Sequence, residues 1–96
     1  MTHLSEETPP IQYYEVIDFK TISKRGAWWI LLALCRETES NKMFLAFYKY
    51  QKRKNQEGES YWQKKSSFRW NNINHIPKII ESIQELTEEW KNQQEL

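Results

Sequence analysis

The stretch FLAFYKYQKRK, residues 44–54, begins as an apolar segment and ends in a cluster of cations. In a β-strand, successive side chains point to opposite faces of the sheet. Met43, Leu45 and Phe47 then form an apolar row, which suits the side of a sheet that packs against a helix. The opposite row consists of Phe44, Ala46, Tyr48, Tyr50 and Lys52, so it combines three rings with a cation. The stretch therefore predicts a strand whose two faces have different roles.

The sequence on either side predicts three more strands. QYYEVIDFKTIS, residues 12–23, is rich in aromatic and β-branched residues, and Gly26 soon after it suits a turn. AWWILLALCRE, residues 27–37, has an apolar run that fits a central strand or a buried helix, and its length and flanking turn signals favour the strand. A polar hairpin segment and a loop with Gly58 then lead to SYWQKKSSFRW, residues 60–70, as the fourth strand.

After Asn71 the apolar positions change to the period of a helix. They are Ile73, Ile76, Ile80, Ile83 and Trp90. Acidic residues oppose this stripe. Pro77 is tolerated only in the first turn of a helix, which favours Asn74 over Asn72 as the N-cap. The predicted fold class is α+β: a four-stranded antiparallel meander, then one C-terminal amphipathic helix that lies on one face of the sheet (β-β-β-β-α).

A chain of 96 residues can build one core, so we expect one domain. Residues 1–10 are poor in apolar side chains and end in two prolines, and we expect them to form a flexible lead. The domain then spans residues 11–91, and residues 92–96 form a frayed tail. The N-terminus lacks the basic start and apolar run of a signal peptide, and the longest apolar run is about half a membrane helix. These patterns predict a cytoplasmic protein with no membrane contact.

The net charge of +1 conceals a strong segregation of charge along the chain. Residues 1–19 carry −4, residues 20–69 carry +8 and residues 70–96 carry −3. A basic block of this kind is either a solvated face or a surface that binds a polyanion. The separation of this basic block from two acidic blocks favours a surface that binds a polyanion.

Few residues suit catalysis or metal binding. Cys35 is the only cysteine, which excludes an intrachain disulfide and suits a reducing compartment. His75 at the predicted helix start suits a surface or capping role, and His3 lies in the lead, so the two histidines do not have metal-ligand spacing. The sequence contains no glycine-rich phosphate loop and no Ser-His-Asp set. We therefore expect a protein that is not an enzyme, with no catalytic residues, no metal and no cofactor.

One helix can cover only one face of the sheet, so the other face meets water, a second copy or a ligand. Alternation places Trp28, Phe68 and Trp70 under the helix. The rings predicted on the open face are Trp29, Phe44, Tyr48 and Tyr50. The cations predicted around them are Lys52, Lys65 and Arg69 on the strands and Lys24, Arg25, Arg53 and Lys54 in the turns.

Cations beside rings suit single-stranded nucleic acid, because the cations bind backbone phosphates while the rings stack on bases. A duplex reader needs a helix or an arm that enters a groove, and the helix predicted here is acidic outside. The predicted binding residues are Trp29, Phe44, Tyr48, Tyr50, Lys52, Arg53, Lys65 and Arg69.

The segment KMFLAFYKYQKRKNQEGESYWQKKSSFRWNNINHIPKIIESI, residues 42–83, holds a strand, a basic loop with glycine, a second strand and an Asn-Ile-Asn helix start. In this order, and in its basic sheet and acidic helix, the chain resembles the single-strand-binding fold shared by the PUR-alpha family, the plant Whirly proteins and the transcriptional positive cofactor four family. The likeness is closest to bacterial single-repeat PUR-type proteins. Ser66 departs from it, since related strands often carry Gly there.

The resemblance implies that the sheet binds single-stranded DNA or RNA, and that two chains pair through helices and sheet edges. By position it implies roles for Tyr48, Tyr50, Lys52, Lys65 and Arg69. The leading hypothesis is thus a homodimer that binds single strands in transcription, replication or RNA handling. The alternative is a protein-interaction module of the same fold whose aromatic face is buried against a partner chain, because exposed aromatic patches also mark protein partners.

Overall fold

Four antiparallel strands form one sheet in sequence order, and a helix follows them. The computed structural model describes residues 7–94. The strands are β1 (Tyr14–Arg25), β2 (Trp28–Glu37), β3 (Met43–Lys54) and β4 (Ser60–Trp70). A 3-10 turn (Ile73–His75) leads into the helix α1 (Ile76–Gln94). The predicted α+β class, with its meander and C-terminal helix, is confirmed.

Short turns with left-handed residues join the strands. Gly26 and Ala27 link β1 to β2, and Gly26 has a φ of 56°. A positive φ at the first position of a two-residue turn matches the twist of a hairpin. In the loop before β4, Gly58 has a φ of 84°, and Asn55 Oδ1 accepts a hydrogen bond from the backbone N–H of Glu59 at 2.9 Å. Both glycines adopt conformations that a side chain would strain.

One face of the sheet forms the hydrophobic core, and we call it the inner face. Its central side chains are Trp29, Leu31, Ala33 and Cys35 from β2 and Phe44, Ala46, Tyr48 and Tyr50 from β3, all of them buried. Five partly buried side chains pack against them, namely Ile11, Tyr14, Val16, Phe19 and Trp62. The cover over this face comes from the edge strands and the N-terminal segment, so the core forms without the helix.

The edge strands bend over the inner face. Register shifts interrupt β1 at two places and β4 at one. Bulges of this kind bend a strand and increase its twist. The Tyr14 ring of β1 consequently lies 4.9 Å from the Phe44 ring of β3, although β2 separates these strands. The Trp62 ring of β4 lies 5.3 Å from the Trp29 ring of β2, across β3.

The turn before α1 begins at Asn72, whose Oδ1 accepts a hydrogen bond from the backbone N–H of Asn74 at 2.9 Å. Asn72 is therefore the N-cap of this 3-10 turn, and Asn74, the predicted N-cap, lies inside the turn. Pro77 is the second residue of α1, where a missing N–H breaks no helical hydrogen bond. Its predicted place in the first turn is confirmed.

The helix does not lie on the sheet. Beyond its start, α1 makes no extensive contact with any strand, and none of its residues 76–94 is buried. The radius of gyration is 16.3 Å, whereas a compact domain of about 100 residues has one of about 13 Å. The prediction that the helix covers one face of the sheet is therefore wrong. Within residues 7–94, no helix is long and apolar enough to cross a membrane.

The second face of the sheet, which we call the outer face, was predicted to lie under the helix and is instead open. Phe68 is 60% exposed and Trp28 is 39% exposed, and Trp70 is half-buried against the Phe68 ring at 5.2 Å. The predicted core roles of these three rings are wrong. Both rows of β2 are apolar, so alternation alone does not decide which row is covered.

The N-terminal segment packs on the sheet. Pro9 is buried, and the backbone N–H of Ile11 donates to the Pro9 carbonyl at 2.9 Å. Residues 7–10 of the predicted flexible lead thus include one buried side chain, while its residues 1–6 lie outside the described part of the chain. The predicted frayed tail is helical up to Gln94, and the last two residues are also outside the described part.

We expect Leu31→Ala to destabilise the fold far more than Ile22→Ala. Leu31 is fully buried on the inner face, whereas Ile22 in β1 is 57% exposed. A leucine-to-alanine change in a core costs about 2–5 kcal/mol, and an exposed strand position costs about 1 kcal/mol or less. Urea denaturation followed by circular dichroism measures both free energies of unfolding. Equal losses would show that the inner face is not the core.

Candidate functional site

The four predicted rings share the inner face, but they are buried in it. Trp29, Phe44, Tyr48 and Tyr50 expose between 1% and 6% of their surface. Their common face, predicted from alternation, is confirmed, and their predicted exposure is wrong. The physical reason is the bend of the edge strands, which brings residues of the same chain over the rings. These rings are core residues that form the floor of the site.

Contacts among the buried rings fix this floor. Tyr48 and Tyr50 stack with 5.8 Å between ring centroids, and Trp29 Nε1 donates to Thr21 Oγ1 at 3.0 Å. Burial raises the pKa of both tyrosines above the ordinary value of a phenol, because the low-polarity surroundings disfavour the phenolate. Both tyrosines of the floor are therefore neutral at physiological pH.

Arg69 lies on the floor at one end of the inner face. It pairs with Ala46 in the β3–β4 register, which confirms its predicted face. Its guanidinium carbon is 3.6 Å from the Phe44 ring centroid. Its Nη2 donates to Glu37 Oε2 at 2.8 Å, and its Nε donates to Asn71 Oδ1 at 2.9 Å. Ring, carboxylate and amide together orient the guanidinium.

Two lysines lie over indole rings at the opposite end of the inner face. Lys24 Nζ is 4.1 Å from the Trp29 ring centroid, and Lys52 Nζ is 5.2 Å from that of Trp62. Lys52 pairs with Trp62 in the β3–β4 register, so its predicted face is confirmed. Cation–π contacts at exposed sites contribute about 0.5–1 kcal/mol, enough to orient an ammonium group without removing it from solvent.

A bulge in β4 changes which lysine lies on the inner face. Ser66 pairs with Lys49 and Lys64 pairs with Tyr50, so Lys65 is the extra residue between them. Lys64, and not Lys65, lines the open space on the inner face. The prediction for Lys65 is therefore wrong by one position.

The same bulge places Trp62 on the inner face. Uninterrupted alternation from Phe68 and Trp70 would place Trp62 on the outer face, yet its ring lies against Trp29. Sequence reasoning missed both Lys64 and Trp62, because the residues around the bulge include no glycine or other signal of a break in the pattern.

Arg53 does not join the other predicted cations. Alternation along β3 directs it to the face opposite Lys52, and its Nη1 donates to Gln51 Oε1 on that side at 3.4 Å. Arg53 was predicted in a turn at the edge of the open face, but it lies within β3 and points to the outer face.

Two adjoining spaces form a groove on the inner face along β4. One, of about 260 Å³, lies between the N-terminal segment and the strands β3 and β4. The other, of about 310 Å³, extends toward Arg69. Tyr14, Tyr48 and Lys64 line both, so the two spaces are neighbours. Trp62 lies at one end of this groove and Arg69 at the other.

The groove offers a ligand positive charge and the edges and faces of rings. Cys35 lies buried beneath it, and burial raises the pKa of the thiol above its ordinary value. Within residues 7–94, no three His, Cys, Asp or Glu side chains are grouped closely enough to hold a metal ion.

Comparisons of the chain with protein-family models, with curated proteins and with solved structures found no significant match. The resemblance to PUR-type and Whirly-type proteins stays a prediction from the sequence.

We expect Glu37→Gln to remove part of the acid sensitivity of the fold. The Ser40 hydroxyl at 2.6 Å and the Arg69 guanidinium hold the pKa of Glu37 below its ordinary value of 4.5. A lowered folded-state pKa gives stability that is present above about pH 4.5 and is lost as the pH falls through the lowered value.

Urea midpoints measured between pH 3 and pH 7 test this expectation. The wild type should lose more stability on acidification than the Glu37→Gln variant. Glu39→Gln, a change at an exposed residue of the same hairpin, is the matched control. Parallel pH profiles for the wild type and Glu37→Gln would contradict the role of Glu37.

Proposed function

We propose that the protein binds single-stranded DNA or RNA in the groove of the inner face, without catalysis of its own. The observation that carries the proposal is the lining of one groove by cations and accessible rings. Lys64 and Arg69 line the groove, and Lys24 and Lys52 lie over the Trp29 and Trp62 rings at its end. The accessible rings are Tyr13, Tyr14 and Trp62. A role in transcription, replication or RNA handling in the reducing cytoplasm fits such a protein.

The cations supply the first attraction for a nucleic acid. Lys52 and Lys64 are exposed beside the groove, and Arg69 is half-buried with its charge at the groove end. Each phosphate that such a cation neutralises releases counterions from a single strand. The affinity then falls by about 0.7 log units per log unit of salt for each phosphate.

Stacking in this proposal uses other rings than those predicted from the sequence. Trp29, Phe44 and Tyr50 are covered, so they support the groove from below. Tyr13 is 81% exposed at the groove wall, and Trp62 is half-buried at its end. A base stacked on an exposed ring gains about 1–3 kcal/mol.

A single strand suits this surface better than a duplex. The rings that line the groove lie on a sheet, and they can stack only on bases that are unpaired. Helix α1, the element with a shape for the major groove, carries four glutamates against two lysines and would repel a phosphate backbone.

The alternative, a partner chain bound to the aromatic face, has less support. The rings that it invoked are covered by residues of the same chain, so no partner is needed to remove them from water. Much of the apolar surface that stays uncovered lies instead on the outer face, at Trp28, Met43 and Phe68, and on α1.

We propose that two copies of the chain pair through this uncovered surface. On the outer face, Trp28, Met43 and Phe68 are more than a third exposed. On α1, the exposed apolar residues are Ile80, Ile83, Leu86 and Trp90. Burial of apolar surface contributes about 25 cal/mol per Å², and patches of this kind usually mark a contact with another protein. A helix that leaves its own sheet is positioned to cover the sheet of a second copy.

We expect the double substitution Lys52→Ala and Lys64→Ala to weaken binding of a fluorescent oligo-dT. Removal of two groove cations should also lower the slope of log affinity against log salt by about 1.4. Fluorescence anisotropy at several salt concentrations measures both quantities, and an RNA oligomer of equal length tests the nucleic acid preference.

The matched control removes the same charge from the outer face, through Lys20→Ala and Lys49→Ala. Lys20 pairs with Leu32, and Lys49 lies over Trp28 at 4.9 Å, both away from the groove. We expect this control to keep the wild-type slope. Equal losses in the two variants would place the binding outside the groove, and no binding at low salt would overturn the proposed function.

We expect Ile83→Asp to separate the proposed dimer into monomers. The change places a charge in the apolar stripe of α1, where pairing would bury it without a partner. Sedimentation velocity measures the state of association, and Glu85→Gln on the polar side of the helix is the control. A wild type that sediments as a monomer at all concentrations would contradict the pairing.

A further inference from the structure

The carboxylate of Glu7 occupies a cationic pocket at the Trp62 end of the groove. Its Oε1 accepts a hydrogen bond from Lys24 Nζ at 3.1 Å. Its Oε2 accepts a hydrogen bond from Trp62 Nε1 at 2.8 Å. The Lys52 ammonium lies over the same Trp62 ring. One carboxylate is therefore surrounded by two ammonium groups and an indole N–H.

The pocket stabilises the negative charge of Glu7. Partial burial acts to raise the pKa of this carboxyl, but the hydrogen bonds from Lys24 and Trp62 and the charge of Lys52 lower it more. The resulting pKa is below the ordinary value of a glutamate, so Glu7 is ionised at neutral pH. The pocket thus already holds an anion that belongs to the chain.

The segment behind Glu7 is fixed to the sheet, whereas the ion pair is only loosely covered. Pro9 is buried and Ile11 packs against the core, which places Glu7 within reach of the pocket. The side chains of Lys24 and Glu7 are 37% and 52% exposed. Ion pairs with this much exposure are weak, so another anion can displace the carboxylate.

We propose that Lys24, Lys52 and the Trp62 indole N–H form a phosphate-binding subsite of the groove, and that Glu7 is a built-in competitor for it. The inference rests on the proposed function, since the phosphate belongs to the bound single strand. Carboxylate and phosphate oxygens accept hydrogen bonds from the same donors, and lysine binds both as a point charge. The phosphate displaces the Glu7 carboxylate from the subsite, while Pro9 and Ile11 stay packed on the sheet.

Competition of this kind multiplies the affinity by the fraction of molecules whose subsite is free. If Glu7 fills the subsite about nine-tenths of the time, it weakens binding about tenfold. The N-terminal segment then sets how much salt or competing anion the complex tolerates.

The test compares oligo-dT binding by the wild type and by Glu7→Gln, with anisotropy measured over a range of salt. The glutamine keeps the size of the side chain and loses its charge. We expect the affinity to rise about three- to tenfold and the salt slope to steepen by about 0.7, one phosphate's share. Glu15→Gln is the matched control, because Glu15 pairs with Arg36 outside the groove at 3.3 Å.

Lys24→Ala provides a second measurement on the same subsite. It removes the main cation of the pocket, so the gain from Glu7→Gln should largely vanish in its presence. A double-mutant cycle over Glu7 and Lys24 detects this non-additivity. Circular dichroism of each variant confirms that the sheet is intact.

The outcomes separate this inference from the proposed function. Wild-type binding with no change of affinity or slope in Glu7→Gln overturns the competitor and leaves the groove as the binding site. A gain of equal size in Glu15→Gln also overturns it, because the effect would then reflect total charge. Absence of oligonucleotide binding by both the wild type and Glu7→Gln overturns the proposed function, and the subsite with it.

Discussion

Eight side chains of β2 and β3 pack on the inner face, and the position of the other elements depends on their burial. Two central strands cannot cover their own surface, so the cover comes from the edges. Bulges bend β1 and β4 inward, and Pro9 and Ile11 close the remaining side. A sheet that closes on one face in this way has no need of its helix there. The detachment of α1 and the openness of the outer face both follow from this packing.

The periodicity of the sequence was sufficient to predict the strands and the helix. It was insufficient to predict how they pack. Period-two alternation, the turns at Gly26 and Gly58 and the helical stripe after Asn71 all predict features that the structure contains. Alternation also groups Trp29 and Tyr50 correctly on one face. It does not reveal which face is covered, because β2 is apolar on both sides and local patterns carry no information about bends. The apolar stripe of an amphipathic helix likewise predicts a contact with an apolar surface. It does not identify that surface.

The sequence predicted that cations and rings share one face of the sheet, but it predicted only some of the residues. Arg69 and Lys52 are where alternation placed them, since the register between β3 and β4 is regular around each. Lys64 replaces Lys65 because one extra residue in β4 shifts the alternation between these two positions. The hydrogen bond between Glu7 and Trp62 joins residues that are 55 positions apart, a distance over which no sequence pattern acts.

The rings of the inner face serve the cations above them as well as the core. Phe44 lies under Arg69, Trp29 under Lys24 and Trp62 under Lys52, so each charge is oriented by a side chain that also stabilises the fold. The orientation of these cations therefore does not depend on a ligand, and less conformational entropy is lost when a ligand binds to them. The groove and the apolar outer face lie on opposite sides of one sheet. In the proposed pairing of two copies through their outer faces and helices, both grooves would stay free. A single-stranded nucleic acid long enough to reach both would then gain affinity from two linked sites.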